Sequence, residues 1–248
     1  PNITDTDASG LRKGILTALA QIEVEPKSRV ALWVDALKKD REPSVRAAAA
    51  QALGQLGPTA KNATPALLDA QKQSLTANAT MDASGMRKAV LEALARIEPD
   101  AREQLPRWLD ALKKDRDPAV MQTATAALGR IGAPAKSALP LVKEALRYSL
   151  AAQPASDAQA LRRTALETLP RLGIEHKDYL ATLGEHLRLD RDPEVRSAVV
   201  TALGSLGPPA KSLVPLLVEV QRTALAGNER DKTLAAEIDA ALKKIQGK

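Results

Sequence analysis

The sequence predicts an all-α protein, an α-solenoid of stacked helical hairpins with about thirteen helices. Hydrophobic residues make up 44% of the 248 positions, but aromatic residues make up only 2%, and Phe is absent. The apolar residues are therefore mostly Ala, Leu, Val and Ile, and Ala and Leu are the strongest helix formers. They recur at helical spacing in a pattern that repeats along the chain, so the predicted core consists of many thin layers.

A long internal repeat sets the domain organisation. The segment DASGLRKG, which begins at Asp7, returns at a constant interval as DASGMRKA from Asp82 and as DAQALRRT from Asp157, and two other segments keep the same interval. The chain divides into three blocks that align without a gap: 7–81, 82–156 and 157–231. A terminal helix is predicted over 229–246. Such a repeat is typical of solenoids, so we predict a single solenoid over 1–248.

Four helices are predicted in each block, and in the first block they span 7–22, 27–39, 43–56 and 59–75. The apolar side chains of the second helix are spaced i, i+3, i+4 and i+7, as on the core face of a helix: Val30, Trp33, Val34 and Leu37. One narrow apolar stripe per helix cannot close a core within a single hairpin. Neighbouring hairpins must therefore stack.

Turn residues indicate where the helices begin and end. Asp117-Pro118 and Asp192-Pro193 each supply an N-cap aspartate followed by Pro at the first helical position, where the missing N–H costs nothing. The third helix of each block is expected to end at a glycine in the left-handed conformation. These glycines are Gly57, Gly132 and Gly207.

Two further sets of residues are assigned to packing. One glycine recurs inside the third helix of each block, where we predict a close helix–helix approach despite a propensity cost of about 1 kcal/mol each; the set is Gly54, Gly129 and Gly204. Trp33 and Trp108 lie on the apolar stripe one block apart, and Leu183 takes the third position. Their place on the stripe favours core packing over stacking on a ligand.

Little in the sequence points to catalysis, and no catalytic, cofactor-binding or metal-ligating residue is predicted. The absence of Cys excludes disulfides, thiolate metal sites and a Cys nucleophile. The two histidines, His176 and His186, lie too far apart in the sequence for any common metal-binding spacing, so a surface or packing role is expected. Carboxylates recur with the repeat, as Asp35 and Asp110 do, which indicates architecture. We therefore expect a protein that is not an enzyme.

Charge and targeting signals leave the compartment open. The net charge is +6 with a pI near 9.6, but 36 basic and 30 acidic residues are interspersed, as on a solvated surface. No apolar run is long enough to span a membrane, and no signal peptide begins the chain. A cytoplasmic and an exported bacterial protein both fit. Because the chain starts at Pro1 without Met, we expect a segment of a longer protein.

The segments DREPSVRAAAAQALGQLG and DRDPEVRSAVVTALGSLG, each followed by A-K-x-x-x-P-L-[LV], resemble HEAT repeats of the bacterial, lyase-like type. The resemblance implies a right-handed α-solenoid, armadillo-like in architecture, in which outer A helices alternate with inner B helices. The implied units are 26–56, 59–97, 101–131, 134–172, 176–206 and 209–246. Met121 departs from the pattern, because it replaces the arginine found at Arg46 and Arg196.

The resemblance also implies two sets of functional or structural residues. In related arrays an aspartate and an arginine form a ladder between layers, which implies an inter-repeat role for Asp40, Arg46, Asp115, Asp190 and Arg196. The inner helices line the concave face that solenoids commonly use for binding. We expect that face to be shallow, lined by small residues and mildly basic, with these side chains projecting from it: Lys13, Thr17, Lys88, Glu92, Arg96, Arg130, Arg163, Glu167 and Arg171.

A concave helical surface without catalytic groups favours a non-enzymatic scaffold for protein–protein interaction, with a partner protein or with other domains of the parent chain. The alternative is a nucleic-acid binder of the DNA-repair glycosylase type, disfavoured because the aromatic residues that stack on bases are almost absent. A lyase-like role on a bound chromophore would need a pocket that the sequence does not indicate. The partner, the oligomeric state and the choice between concave and convex face stay open.

Overall fold

A computed structural model describes residues 10–15, 18, 26–76, 81–98, 100–152, 155–227 and 229–247. The described residues form helices and turns and no strand, so the all-α prediction is confirmed. The chain divides into two compact units, Pro1–Ala124 and Thr125–Lys248, and the boundary lies inside a helix. The right-handed coiling and the single solenoid stay predictions.

The first unit contains seven α-helices in its described part, the last of which crosses the boundary. They are α1 (described over 10–15), α2 (Pro26–Lys39), α3 (Pro43–Gln55), α4 (Thr64–Thr76), α5 (Met81–Ile97), α6 (Ala101–Lys114) and α7 (Pro118–Ile131). A 3-10 helix, Gly57–Ala63, precedes α4. Helix α3 packs on α2 and α5, and α4 also packs on α5, which buries a core of Ala, Leu, Val and Met side chains around Trp33.

The second unit continues the same pattern with six further α-helices in the described residues. They are α8 (Leu139–Tyr148), α9 (Ala155–Arg171), α10 (His176–Leu189), α11 (Pro193–Leu206), α12 (Val214–Leu225) and α13 (Glu229–Gln246). The 3-10 helices Ala133–Ala138 and Pro208–Leu213 precede α8 and α12. Helix α13 packs on α11 and α12, and α10 packs on α11.

The predicted helix over 59–75 is wrong as a single element. It consists of a 3-10 helix followed by α4, with a kink at Ala60, where φ is −90° and ψ is 16°. The second block repeats the kink at Ala135, with φ −92° and ψ 21°. Pro65 explains the division, because proline is tolerated in the first turn of an α-helix but not in its interior.

The packing predictions are confirmed. Trp33, Trp108 and Leu183 are 1%, 2% and 0% exposed. A Cβ placed on Gly54 would lie 2.9 Å from the Cα of Ala93, on the neighbouring helix α5. Gly129 and Gly204 are similarly placed against α9 and α13, where a Cβ would lie 2.7 Å from Thr168 Oγ1 and 3.2 Å from Ala241 Cβ. These glycines therefore let α3, α7 and α11 lie close to α5, α9 and α13, respectively.

The predicted helix ends are confirmed with one refinement. Asp117 and Asp192 accept hydrogen bonds from the backbone N–H groups two and three residues on, at 2.9–3.2 Å. Gly57, Gly132 and Gly207 have φ values of 57°, 72° and 64°. At Gly132 and Gly207, however, ψ is −140° and −136°, which lies outside the left-handed helical region and is open essentially to glycine alone.

Candidate functional site

The second unit contains a groove of about 840 Å³ between helices α9, α11 and α13. It is lined by Gln159, Arg163, Leu166, Glu167, Tyr179, Asp192, Pro193, Glu194, Ser197, Ala198, Thr201, Ala202, Ser205, Thr233, Leu234 and Glu237. The side chains that the middle of α11 presents to the groove are short, Ala, Ser and Thr, and this gives the groove its depth. Gly204 brings α13 close to α11 beneath this surface.

Hydrogen bonds connect the three helices along the groove. Glu194, in the first turn of α11, accepts from Gln159 Nε2 and Arg163 Nη1 of α9, both at 2.9 Å. On the other side, Ser197 Oγ donates to Glu237 Oε2 of α13 at 2.6 Å. The orientations of two carboxylates in the groove are therefore fixed by neighbours on adjacent helices.

Tyr179 contributes structure rather than reactivity to the groove. Its side chain is 5% exposed, and its hydroxyl donates to the carbonyl oxygen of Leu166 at 3.0 Å. Burial, together with the nearby negative charge of Glu167, raises the pKa of Tyr179 to about 12. The phenol is thus neutral at physiological pH and engaged as a donor, so it is not available as a base.

The groove is acidic, and the expectation of a mildly basic strip is wrong here. Among the described lining residues, four carboxylates, those of Glu167, Asp192, Glu194 and Glu237, face one guanidinium, that of Arg163, which gives this lining a formal charge of −3. The expectation was drawn from the first helix of each block and from non-acidic positions of the third. It missed the acids that α11 and α13 bring to the same surface.

The structure brings together two of the residues predicted for the concave face, Arg163 and Glu167, and both line the groove. The other described members are exposed or half-buried: Lys13 on α1, Lys88, Glu92 and Arg96 on α5, Arg130 on α7 and Arg171 on α9. Thr17 lies outside the described residues. A role in binding stays a prediction for all of them.

The aspartates predicted for the inter-repeat ladder pair with arginines of a preceding helix. Arg12 Nε donates to Asp40 at 2.8 Å, and Arg87 Nε donates to Asp115 at 2.6 Å. In the third block, Nε of Arg162 lies 2.8 Å from Oδ2 of Asp190. Each aspartate also accepts the backbone N–H two residues on, at 3.0 Å, so it holds the turn and the ion pair together.

Arg46, the predicted partner of Asp40, makes other contacts. Its Nε donates to the carbonyl oxygen of Leu37 at 2.9 Å, and Nη2 donates to Gln73 at 3.4 Å. Burial lowers the pKa of Arg46, and the charge of Asp40 offsets only part of that effect. Arg196 is half-buried at the equivalent position of α11.

The resemblance implied Arg46 as the partner of Asp40, but in the structure Arg12 takes that place. The correct signal was available in the LRK, MRK and LRR triplets that contain Arg12, Arg87 and Arg162, since these recur at the same interval as the aspartates.

His186 and Asp190 form a buried pair beside Arg162. His186 is 3% exposed, with Nδ1 3.4 Å from Asp190 Oδ2, as its predicted packing role requires. Burial opposes ionisation of Asp190, but the hydrogen bonds from His186 and the Asp192 N–H, with the charge of Arg162, outweigh it and lower the pKa of Asp190. His176 is exposed at the start of α10.

Within the described ranges, no three His, Cys, Asp or Glu side chains are grouped as a metal site would require. No helix among the described residues combines the length and the hydropathy needed to span a membrane.

Comparison with known proteins gives two matches to family models. A model described as HEAT repeats matches residues 149–231, and a model described as HEAT repeat matches residues 31–60. The first match contains α9, α10, α11 and α12, three of which contribute residues to the groove. No curated protein and no solved structure matches the chain.

Proposed function

Because this chain is a HEAT-repeat protein, we propose that it acts as a non-enzymatic scaffold that holds a partner protein in the groove of its second unit. HEAT repeats are commonly protein-interaction scaffolds, and the family is typically non-catalytic. The observation that carries the proposal is the groove between α9, α11 and α13. Hydrogen bonds along the groove connect α11 to α9 and to α13.

The chemistry of the lining supports recognition rather than catalysis. Hydroxyl groups of Ser197, Thr201 and Ser205 alternate with alanines along α11, and carboxylates stand at the sides. Such a surface offers hydrogen-bond donors and acceptors to the backbone and side chains of a polypeptide. The described lining holds no His, Lys or Cys, and its one tyrosine is committed to a structural hydrogen bond.

A protein partner is favoured over a nucleic acid. Nucleic-acid affinity depends on cations that neutralise phosphates and, for single strands, on aromatic rings that stack on bases. The groove instead has a formal charge of −3, and the single aromatic side chain of its described lining is buried. A phosphate backbone would be repelled from this surface.

Site-specific photo-crosslinking tests the proposal. A photoreactive amino acid at Thr201, exposed in the groove, is compared in the source cell with one at Lys177, exposed on α10 outside it. We expect a protein adduct at position 201 that is absent at 177. The groove-filling variant Ala198→Trp should remove that adduct while the thermal melt shows a folded protein. Equal adducts at both positions, or an adduct that survives Ala198→Trp, would contradict the proposal.

A further inference from the structure

We propose that the partner segment held in this groove is rich in Lys and Arg and lies along α11 in an extended conformation. The inference rests on the proposed function and adds the chemistry of the partner. Its starting point is the contrast between the groove, with a formal charge of −3, and the whole chain, with a net charge of +6. Charge of one sign concentrated in a concave site attracts ligands of the opposite sign.

Comparison of the three blocks shows that part of the negative charge, the carboxylate of Glu194, is not required by the repeat architecture. Glu194 is replaced by Ser44 and Ala119 at the equivalent positions of the first and second blocks. Ser205 is replaced by Gln55 and Arg130. The same helix therefore forms without an acid at the first position and with a cation at the second, so the acid at Glu194 is specific to the third block. Glu167 and Asp192, by contrast, have acidic counterparts in the second block, Glu92 and Asp117.

The carboxylates stand on all three helices that surround the groove. Glu167 is exposed on α9, Glu194 is exposed on α11, and Glu237 is half-buried on α13. The hydrogen bonds from Arg163 to Glu194 and from Ser197 to Glu237 both use Oε2. Because a carboxylate has about four acceptor sites, Oε1 of each group retains capacity for a guanidinium or an ammonium group.

The size and polarity of the groove favour a polypeptide over a smaller cation. Its volume of about 840 Å³ lies near the top of the range of about 300–1,000 Å³ known for ligand pockets, far above what a metal ion or a single ammonium group fills. Small-molecule sites are mostly apolar, whereas Thr201 and Ser205 are exposed hydroxyl side chains along the floor. They are placed to hydrogen-bond with the main chain of an extended segment.

Fluorescence anisotropy with the full chain provides the test. The probe is a labelled peptide of about twelve residues in which Lys and Arg alternate with Ala, compared with versions carrying Gln or Glu at every cationic position. We expect binding of the basic peptide only, weakening at least tenfold as salt rises from about 0.05 to 0.5 M. Unlabelled spermine, a small polycation, should compete poorly.

A block-transplant variant locates the binding. Glu194→Ala with Ser205→Arg introduces the residues that the second block carries, Ala119 and Arg130, and should weaken binding of the basic peptide about tenfold or more. The matched control, Glu219→Ala with Ser212→Arg, makes the same chemical changes at exposed positions outside the groove and should bind as the unaltered chain does. Thermal melts verify that both variants are folded.

The outcomes separate this inference from the proposed function. Equal weakening by the transplant and its control, unchanged binding by the transplant, or equal binding of the Gln peptide would each overturn the basic partner. If one of these occurs while the adduct at position 201 persists, the scaffold function stands and only the charge of its partner is wrong. If spermine displaces the peptide at equal concentration, the groove recognises small polycations and the extended segment is wrong.

Discussion

At the scale of single residues, the same arginine–aspartate pair is placed in very different surroundings. The side chains of Arg12 and Asp40 are 44% and 11% exposed, whereas those of Arg87 and Asp115 are 6% and 3% exposed. Arg87 also donates to the carbonyl oxygen of Ser74 at 3.4 Å, as Arg162 does to Ser149 at 2.8 Å. Burial makes the loss of one partner costly, because the remaining charge is left without compensation.

Asp115→Ala should therefore lower the free energy of unfolding by about 3–5 kcal/mol, because it leaves the buried guanidinium of Arg87 unpaired. Asp40→Ala is the matched control: it removes the same turn hydrogen bond, but its ion pair is more exposed and contributes about 1 kcal/mol or less. Urea denaturation of both variants measures the difference. Equal losses would mean that the burial of Arg87 has no energetic consequence.

The lowered pKa of Asp190 implies that the free energy of unfolding decreases at acidic pH. The pKa of Asp190 is lowered in the folded chain, so its contribution is present above the unfolded value of about 3.9 and is lost as pH falls through the lower folded value. Asp190→Asn should therefore show a smaller loss of stability than the unaltered chain between about pH 5 and pH 2.5. Urea midpoints measured across this range provide the check, and parallel curves for the two proteins would contradict it.

Residue-level sequence reasoning succeeded where a side chain's role is set by its own helix. Trp33 and Trp108 could be assigned to the core from their place on the apolar stripe, and Asp117 and Asp192 to caps from the proline that follows. The partner of Asp115 could not be found this way, because Arg87 lies on another helix and the packing register decides which arginine reaches it.

At the scale of elements, the inner helices are adjacent because of small residues at one position. The Cα of Ala93 on α5 lies 2.9 Å from the position that a Cβ on Gly54 would take. The sequence predicted this contact from the recurrence of the glycine. It did not predict the kinks at Ala60 and Ala135, because the apolar pattern continues through them and only the proline in the following turn distinguishes a 3-10 helix from the α-helix after it.

Gly54→Ala should destabilise the chain by about 1–3 kcal/mol, because the new Cβ would lie 2.9 Å from the backbone of Ala93 and the helices must separate. Gly85→Ala is a control for which the expected change in stability has the opposite sign. That glycine lies within α5, and outside the backbone of its own helix no described atom lies within 4 Å of the added Cβ, so the substitution should stabilise by about 0.5–1 kcal/mol. Chemical denaturation measures both, and a stabilising Gly54→Ala would contradict the close approach.

At the scale of the whole molecule, net charge is a poor guide to the candidate site. The chain is basic, yet three neighbouring helices of the second unit collect acids around a groove. Composition could not show this, because Glu167, Glu194 and Glu237 are far apart in the sequence. The repeat located the surface on the inner helices, and only the packing of α13 against α11 completed it.

A gel-shift experiment with the whole protein tests the alternative that it binds nucleic acid. At about 0.1 µM protein and 0.15 M salt we expect no gel shift of a short DNA duplex, because non-specific binding by a modestly basic protein has dissociation constants of about 10⁻⁴–10⁻⁶ M. Single-stranded DNA and a duplex with an abasic site serve as further probes. A complex of submicromolar affinity that dissociates as salt rises would favour the DNA-repair type of function instead.

The gap-free repeat interval, with Arg87–Asp115 and Arg162–Asp190 as the same contact one interval apart, makes the block a natural cassette for duplication. A fourth copy inserted between positions 156 and 157 would bring its own arginine, aspartate and glycine in phase with those on either side. Lengthening a gene in whole cassettes preserves every such contact, whereas an insertion of a few codons between an arginine and its aspartate would break one. New recognition surfaces can therefore arise by copying a block and then diversifying the inner face of one copy.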